Sequence, residues 1–473
     1  MNTRSCQVLV VGAGPGGYVA AIRSAQLGLD TVIVEADKAG GTCLIRGCIP
    51  SKAMIHAAER FENISQHSTD GGHMGIMSSS PELDMKGLVS WKDSIVQKLN
   101  QGVEGLLKAA GAELINGWAE FVDAKTCKVK TQDDVLRIEA ENVILATGSS
   151  PIELPFMPFD EENICSSTGA LDLKDLPSKV AIVGGGYIGL ELGCALTKMG
   201  SEVTVIEGLD SVLSIFDKEL RRPLEIWLKK HGVKLNTNCM AKGADITEEG
   251  VTMRWADKGG DEHSLDVDTV LVTVGRRPNT QGWGLEEMGL RMDDTGRFIA
   301  IDEQCKTNMP GVYAIGDVTG DPMLAHRASA QGEMVAEIIA GHQRIWDKVA
   351  IPAIVFTEPE IVSVGHTPEE AKEAGENVIV GKFPLAANGR ALTLEAEKTN
   401  GFVRVIAREE DHVILGIQAV GSHVAELSGE FVLALEMGAV LEDVAATVHA
   451  HPTMTESFHE SILKTLGHAI HIS

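Results

Sequence analysis

The chain has 473 residues, of which 44% are hydrophobic, and it carries a formal net charge of −26 at pH 7. This length predicts two to four domains, each able to bury a core of its own. The acidic balance argues against nucleic acid or an anionic membrane surface as the main partner. No uninterrupted apolar stretch reaches the roughly 18–20 residues that a membrane span needs, so no membrane segment is predicted.

The first apolar run covers residues 7–11 and leads directly into a glycine motif. Because it lacks the small-residue cleavage site of a signal peptide, it is predicted to be a β-strand. The chain has eight cysteines. Apart from Cys43 and Cys48 they are dispersed, with neither the spacing of a zinc site nor the density of a small secreted scaffold. We therefore expect no bound metal and a cytoplasmic location.

A Rossmann fingerprint follows this strand. It reads Gly12-Ala13-Gly14-Pro15-Gly16-Gly17, then a predicted helix over 18–27 and a strand over 31–34 that ends at Glu35. Glycines at these positions permit a tight turn and bring backbone amides close to a pyrophosphate, and the acid accepts hydrogen bonds from a ribose. The residues predicted to bind this dinucleotide are Gly12, Gly14, Gly17 and Glu35.

The same motif returns in the middle of the chain. An apolar strand over 180–183 leads into Gly184-Gly185-Gly186-Tyr187-Ile188-Gly189, a predicted helix to 199 and a strand ending at Glu207. One such motif could be a structural turn, but the acid lies 23 positions after the first glycine in both copies, which favours two dinucleotide sites. A carboxylate at Glu207 would bind a free 2′-hydroxyl and repel a 2′-phosphate, so NAD is predicted over NADP.

The remaining elements divide the chain into four regions. A strand over 142–147 closes on Gly148, and the prolines behind it mark the exit from the first domain. A second such strand covers 269–275, and a helix is predicted over 325–340. The predicted fold class is α/β, with two Rossmann-type dinucleotide-binding domains at 1–150 and 151–278, a central region at 279–350 and a C-terminal domain at 351–473.

Two cysteines lie five positions apart in the stretch 40–52. In a regular α-helix their Cα atoms would be roughly 8–9 Å apart, beyond the about 7 Å that a disulfide spans. The segment must therefore be distorted, and Gly47 can supply the distortion. Cys43 and Cys48 could be unrelated thiols, but they follow the acidic end of a dinucleotide unit. We therefore predict a disulfide that is made and broken.

The sequence Gly-Gly-Thr-Cys43-x4-Cys48-Ile-Pro-Ser-Lys52 resembles the active-site signature of the pyridine nucleotide–disulfide oxidoreductases, above all of those members that oxidise dihydrolipoamide. The resemblance covers essentially the whole chain. It implies FAD in the first unit and NAD in the second. It also implies that Cys43 exchanges with the substrate dithiol, and that Cys48 lies against the flavin as a charge-transfer thiolate.

The resemblance further implies a function and partners. The expected reaction is FAD-dependent oxidation of a protein-bound dihydrolipoyl group to a lipoyl group, with reduction of NAD⁺ to NADH. The C-terminal region is expected to be an α+β dimerisation domain that makes a homodimer and delivers a histidine to the disulfide of the other subunit. The expected partners are the lipoyl domain and acyltransferase core of 2-oxo acid dehydrogenase complexes, or the glycine cleavage system.

Thiol exchange needs a base, because the thiolate is the nucleophile. The candidate is His451 in the sequence His-Pro-Thr-x-x-Glu, just before a helix predicted to begin near Thr453. Glu456 can either orient this imidazole, as the resemblance implies, or form a capping box with Thr453. His449 is interpreted as structural or as part of a substrate channel. The other residues that the resemblance implies are Lys52, Gly148, Asp317 and Ala325 for FAD, and Gly184, Gly186, Gly189, Glu191, Glu207 and Gly275 for NAD.

Particular residues argue against other functions within and outside the family. The alternatives are a glutathione-type reductase, a flavin NADH oxidase and a transhydrogenase. Glu207 argues against an NADPH-dependent glutathione reductase, and the intact dithiol argues against a simple oxidase. Residues 467–473 carry no paired cysteines, which argues against a mercuric reductase. A non-catalytic assembly subunit would be colourless or lack the cysteines. Between the cysteines the chain departs from the family pattern, because it has Ile45 where an Asn is commoner. Arg46 adds a cation there that could bias thiolate chemistry or docking, and it is interpreted as a solvent-facing arginine.

Overall fold

The structure, a computed structural model, describes residues 2–69, 72–248 and 250–472. Its first part contains β1 (Thr3–Val11), α1 (Pro15–Gln26), β2 (Thr31–Glu35), α2 (Gly41–Arg46), α3 (Cys48–His67), α4 (Met85–Ala110), β3 (Glu113–Asn116), β4 (Trp118–Asp123), β5 (Thr126–Lys130) and β6 (Val135–Leu145). The sheet runs in the order β3-β2-β1-β6-β5-β4, with β1 parallel to both β2 and β6. These three strands end in apolar runs because both faces of the sheet are buried there.

The second part repeats this design on a smaller scale. Its elements are β7 (Ser149–Pro151), β8 (Ile164–Cys165), α5 (Ser167–Ala170), β9 (Lys179–Val183), α6 (Tyr187–Met199), β10 (Glu202–Ile206), α7 (Lys218–Lys230), β11 (Lys234–Asn236), β12 (Met240–Thr247), β13 (Gly250–Ala256), β14 (Glu262–Val267), β15 (Thr269–Val272) and β16 (Arg276–Pro278). A parallel sheet has the order β11-β10-β9-β15-β8, and β12, β13 and β14 form an antiparallel sheet beside it. β7 and β16 pair antiparallel as a two-stranded link to the first part.

The central region, 279–350, completes the first part of the molecule. It contributes β17 (Val312–Ala314), a 3₁₀ turn at Gly316–Thr319, and α8 (Ala325–Ile339). β17 pairs in parallel with the end of β6, whose beginning pairs with β5. α8 packs on α1 so closely that a Cβ atom on Gly332 would lie 2.4 Å from the Gly16 carbonyl oxygen. The region thus extends the first sheet and covers one of its faces.

The C-terminal region forms an antiparallel sheet with helices against it. Its elements are β18 (Ala353–Val355), β19 (Glu360–Gly365), α9 (Pro368–Glu373), β20 (Val378–Pro384), α10 (Gly389–Thr393), β21 (Phe402–Arg408), β22 (Ile414–Gly421), α11 (Ser428–Glu436), α12 (Leu441–Ala445) and α13 (Glu456–Thr465). The strand order is β18-β19-β22-β21-β20. Phe431 of α11 and Phe458 of α13 meet edge to face in its core, with ring centroids 5.1 Å apart.

The predicted helices near the glycine motifs lie close to their observed bounds. The helix predicted near Thr453 instead begins at Glu456, because Thr453 turns its hydroxyl to the Ala450 carbonyl oxygen rather than to a helix amide. No helix in the described part of the chain combines the length and apolar character of a membrane span.

Candidate active site

The first glycine loop makes a sharp turn between β1 and α1. Gly12 has a φ of +98°, and a Cβ atom there would lie 2.3 Å from the Ala146 carbonyl oxygen. A Cβ atom on Gly17 would lie 1.8 Å from the Gly12 carbonyl oxygen, whereas one on Gly14 would meet no heavy atom within 4 Å. The side of the turn that packs against Ala146 is therefore closed, whereas the side around Gly14, at the N-terminus of α1, is open. A pyrophosphate can approach the backbone N–H groups there.

Glu35 ends β2 beside this loop. Its Oε2 atom accepts a hydrogen bond from the Ala13 amide at 2.6 Å, and its Oε1 atom accepts one from the Asp37 amide at 2.9 Å. Burial raises the pKa of this carboxyl, although hydrogen bonds from backbone amides and the charge of Arg46 act in the opposite direction. The carboxylate is held rigidly and retains acceptor capacity for a ribose hydroxyl.

A cavity of about 760 Å³ runs from this glycine loop to the two cysteines. Its walls come from the first sheet, from the second unit and from the central region. Gly17 does not line it, because Gly17 packs behind the loop against Gly12. Both cysteines line this cavity, together with the other residues predicted to bind FAD, namely Gly12, Gly14, Glu35, Lys52, Gly148, Asp317 and Ala325.

The two cysteines lie on separate helices that meet at Gly47. Cys43 is in α2 and Cys48 is the first residue of α3, and Gly47 between them has φ −142° and ψ −111°. The predicted break of the helix at Gly47 is confirmed. A Cβ atom on Gly47 would lie 2.8 Å from the Thr42 carbonyl oxygen, so a side chain there would obstruct this path. Both cysteines are thiols in this structure.

The environment shifts the pKa values of the Cys43 and Cys48 thiols in opposite directions. A hydrogen bond from the Cys43 thiol lowers the pKa of Cys48 to about 7, against the effect of burial and with the help of the Lys52 charge. The same hydrogen bond, together with burial, raises the pKa of Cys43. In the reduced pair, Cys48 is therefore the thiolate and Cys43 keeps its proton.

Lys52 is one turn beyond Cys48 and is bound to the second unit. Its Nζ atom lies 2.7 Å from Glu191 Oε2 and 4.4 Å from the centroid of the Phe356 ring. The Phe356 amide donates to Glu191 Oε1 at 2.9 Å. Glu191 is buried, yet it belongs to α6, so it joins the second glycine helix to the cavity of the first. Lys52 is thus held by an ion pair rather than fully solvated.

Ser149 and Arg276 also line the cavity, although the sequence predicted no role for either, and Ser149 joins Arg276 to Asp317. Asp317 accepts a hydrogen bond from Ser149 Oγ at 2.5 Å. Arg276 Nε donates to the same Ser149 Oγ at 2.8 Å, and its Nη2 atom donates to the Ser149 carbonyl oxygen at 2.6 Å. The run of two arginines, a proline and an asparagine after the strand over 269–275 was the available signal. Only the pairing of β7 with β16 shows that Arg276 faces the cavity.

The second glycine loop repeats the first. Gly184 has a φ of +101°, and a Cβ atom on Gly189 would lie 2.6 Å from the Gly184 carbonyl oxygen. Glu207 Oε2 accepts from the Gly185 amide at 2.5 Å, and its Oε1 atom accepts from the Leu209 amide at 2.7 Å. Gly186 is exposed, with no heavy atom within 4 Å of a Cβ position. Gly275 lies in the loop after β15 with a φ of +117°.

The predicted base lies outside this cavity. His451 Nδ1 is 2.9 Å from Glu456 Oε1, and the imidazole side chain is 79% exposed. Glu456 Oε2 accepts from the Thr453 amide at 2.9 Å, so the carboxylate orients the imidazole and also binds the backbone. Burial would raise the pKa of Glu456, but the Thr453 amide and His451 hold it below its usual value. Glu456 therefore stays charged beside the ring.

His449 is structural, as one of its two interpretations held, whereas Arg46 differs from expectation. The buried His449 side chain places Nε2 2.9 Å from Glu430 Oε1 and stacks on His459, with ring centroids 4.9 Å apart. It anchors the segment that carries His451. Arg46 was interpreted as solvent-facing, but its side chain is only 39% exposed, lines the cavity and forms an ion pair with Asp37.

Comparison with known proteins agrees with this geometry. Residues 6–332 match the model of the pyridine nucleotide-disulphide oxidoreductases, and residues 351–462 match the dimerisation domain of the same family. The chain belongs to this family. As a member it is a flavoprotein disulfide oxidoreductase that uses FAD and NAD, and its C-terminal region is a dimerisation domain that supports a homodimer.

Relatives are similar over nearly the whole chain. A dihydrolipoyl dehydrogenase of Pseudomonas aeruginosa is 50% identical over 466 residues, covering 98% of both chains. One of Geobacillus stearothermophilus is 48% identical, covering 98% of this chain and 97% of the relative. Among solved structures, LpdA from Mycobacterium tuberculosis has a TM-score of 0.88 at 27% identity, covering 96% of this chain and 99% of that one. The HOCl-induced flavoprotein disulfide reductase RclA from Escherichia coli has a TM-score of 0.84 at 25% identity, with the same coverage.

The cavity fits FAD by its own chemistry. Its glycine loop accepts a pyrophosphate, Glu35 accepts ribose hydroxyls, and the cation of Lys52 stands beside the dithiol at the other end. Asp317 and Arg276 add an acceptor and a donor to the lining of the same cavity.

Proposed function

We propose that the protein oxidises the dihydrolipoyl group of a carrier domain to the lipoyl disulfide and reduces NAD⁺ to NADH. The observation that carries this reaction class is the Cys43–Cys48 pair in the wall of a dinucleotide cavity, with the Cys48 pKa lowered to about 7. The choice of substrate is supported by relatives at 50% and 48% identity that are named dihydrolipoyl dehydrogenase.

The thiol exchange follows from the unequal acidity of the pair. A substrate thiolate attacks Cys43 Sγ, the Cys43–Cys48 bond breaks, and Cys48 leaves as the thiolate. The second substrate sulfur then attacks the first, so the substrate closes its own disulfide and releases Cys43. Two electrons pass from the substrate to the protein. Of the two protons that the substrate thiols lose, one ends on Cys43 and the base removes the other.

His451 is the base in this proposal, and Glu456 holds its Nδ1 atom so that Nε2 faces the substrate thiol. Since the imidazole is 79% exposed and does not line the cavity of its own chain, it suits delivery to the cavity of a second copy. His449 and its buried contact with Glu430 position the segment that presents it.

FAD, when bound in the cavity, supplies the path for two electrons from the dithiol to the nicotinamide. Lys52 and Glu191 lie between the two dinucleotide units, and their ion pair holds α3 against α6 at this point. Glu207 selects the coenzyme, because its carboxylate accepts from a free 2′-hydroxyl and repels a 2′-phosphate. We therefore propose NAD⁺ rather than NADP⁺ as the acceptor.

The wider setting belongs to the same proposal. The partners are a lipoyl domain and the acyltransferase core of a 2-oxo acid dehydrogenase complex, or the glycine cleavage system. The protein works as a homodimer in the cytoplasm, where a reducing milieu suits the six other cysteines, all of which are buried thiols in this structure.

The decisive experiment is an anaerobic titration of the purified protein with dihydrolipoamide, followed by visible absorption. We expect the oxidised flavin bands to fall and a long-wavelength thiolate band to rise, because the donor reduces the disulfide beside the flavin. A matched titration with reduced glutathione should leave the spectrum unchanged. An unchanged spectrum with dihydrolipoamide and a response to glutathione would contradict the proposed substrate.

A further inference from the structure

Arg46 is the one charged residue between Cys43 and Cys48, and the reaction proposed above assigns it no role. It is the last residue of α2, three positions after Cys43 and two before Cys48. Its guanidinium forms an ion pair with Asp37, and both side chains line the dinucleotide cavity. Arg46 therefore turns away from the sulfurs and toward the nucleotide end of the cavity.

Electrostatic effects on neighbouring groups locate this charge more closely. Arg46 acts on Glu35, the carboxylate at the ribose end of the cavity, and opposes the rise of its pKa. It also acts on Arg276, another cavity residue, which is close enough to Cys48 to feel the charge of that thiolate as well. A group within reach of both lies between the ribose end and the flavin end. In FAD the pyrophosphate links the adenosine ribose to the flavin side of the molecule, so it would lie in that interval.

The backbone of α2 supports the same position. A Cβ atom on Gly41, the first residue of α2, would lie 2.5 Å from Gly14 Cα, so α2 starts in contact with the glycine loop. Arg46 is five residues further along the same short helix. Without its charge, Glu35 and Asp37 would be two carboxylates facing a dianionic pyrophosphate across the cavity.

We propose that Arg46 is a cofactor-binding residue that pairs with the pyrophosphate of FAD and thereby slows the release of FAD from the enzyme. The same guanidinium also neutralises Asp37, whose carboxylate would otherwise repel the pyrophosphate. The helix that carries the exchanging thiol thus also retains the cofactor. Arginine suits this role because its planar fork of donors matches phosphate oxygens.

The test measures FAD release from the holoenzyme, without turnover. Holoenzyme is diluted and the gain of free FAD fluorescence is followed at several salt concentrations. Because a charged hydrogen bond to phosphate is lost, R46M should release FAD about tenfold faster or more, whereas R46K should release it at an intermediate rate. Wild-type release should accelerate with salt, and R46M should show a flatter dependence.

Two control variants separate the pyrophosphate contact from other effects. D37N removes the partner of Arg46 and one repelling carboxylate, so it should release FAD no faster than wild type. K38M removes another cation that lines the same end of the cavity and should stay within about twofold of wild type. Circular dichroism of each holoenzyme checks that the fold is retained.

Three results would overturn the proposal. The first is an unchanged rate of FAD release in R46M. The second is an equally fast release in D37N, which would show that only the ion pair between Arg46 and Asp37 matters. The third is an equally fast release in K38M, which would show that any positive charge at this end of the cavity has the same effect. If R46M is purified without FAD, the wild-type-to-R46K comparison at each salt concentration decides the question. The inference rests on the FAD site proposed above, but different results would refute the site and the inference. A colourless wild-type protein would refute the site, whereas a yellow protein indifferent to Arg46 would refute only this inference.

Discussion

The two dinucleotide-binding units share one backbone design but open onto different surroundings. In both, the first glycine has a φ near +100°, and the acid after the second strand accepts from two loop amides at 2.5–2.9 Å. Gly14 of the first loop is half-buried, while its counterpart Gly186 is exposed. The loop chemistry is therefore the same, and the covering elements make the difference.

The covering elements are specific to the first unit. α8 packs against Gly16, and α2 starts against Gly14, so the first loop forms the end of a cavity of about 760 Å³. Beside the second loop, Leu209 and Ile215 are exposed at 55% and 76%. Enclosure suits a cofactor that stays with the enzyme, and an open loop suits a coenzyme that exchanges in each turnover. One motif thus serves both roles.

The largest expected effect comes from adding one methyl group to the glycine loop of either unit. Gly17→Ala places a Cβ atom 1.8 Å from the Gly12 carbonyl oxygen, so we expect a protein without FAD. Gly189→Ala makes the matching 2.6 Å contact with Gly184 in the second loop. It should keep its yellow colour but require far more NADH for half-maximal dye reduction. The measurements are FAD absorbance per chain and the KM for NADH. Equal FAD loss in both variants would break the comparison.

His451→Gln should separate the two half-reactions. Turnover of dihydrolipoamide should fall by about 10²–10⁴, because proton transfer from the substrate thiol is lost. Reduction of artificial dyes by NADH, which needs only the second unit and the flavin, should remain near wild type. His412→Gln is a matched control, since His412 forms an exposed pair with Glu442 at 2.6 Å in the same domain. Equal loss in both assays of His451→Gln would refute the base assignment.

The pKa of Cys48 should depend on the hydrogen bond that its thiolate accepts from Cys43. In the two-electron-reduced enzyme, the long-wavelength band should disappear as pH falls through about 7, because Cys48 takes up a proton there. Cys43→Ala removes the donor that lowers this pKa, so the midpoint should move upward toward the ordinary thiol value of 9.0. Cys43→Ser keeps a donor and should stay nearer to wild type. The readout is absorbance against pH, and a lower midpoint in the alanine variant would contradict the assignment.

The smallest expected effect concerns the second unit alone. Glu207→Gln removes the negative charge and keeps one side-chain oxygen that can accept from a loop amide, so the ratio of kcat/KM for NADH over NADPH should fall about tenfold. The counterpart change Glu35→Gln should leave that ratio unaltered. A ratio that moves equally in both variants would show that the two acids do not divide their roles between cofactors.

Much of the fold could be predicted because the signals are local. The glycine spacing, the apolar strands before each loop and the acids after them all lie within about 25 residues of chain, and the break at Gly47 follows from helix geometry. The start of α13 was misplaced because Thr453 bonds to Ala450, a contact that the capping-box pattern does not reveal. Gly17 was assigned to the cofactor, yet its place is behind the loop, because the fingerprint does not distinguish contact from packing.

The interpretation of Arg46 shows the limit of local reasoning. A lone arginine between two cysteines has no patterned neighbour, so solvent exposure was the simplest expectation. Its partner Asp37 lies nine positions earlier, beyond the end of β2, and only the packing of α2 on the first loop brings them together. Arg276 was overlooked for the same reason, since the β7–β16 pairing spans more than 100 residues.

By itself, the sequence determined the two dinucleotide loops, the dithiol and its distorted backbone, because each depends on contacts between near neighbours. Only the tertiary structure decided that Glu191 of the second unit binds Lys52 of the first, and that α8 closes one loop and leaves the other open. It also placed His451 on the surface, away from its own cavity. Such contacts join segments far apart in the chain, and they depend on how whole sheets and helices pack.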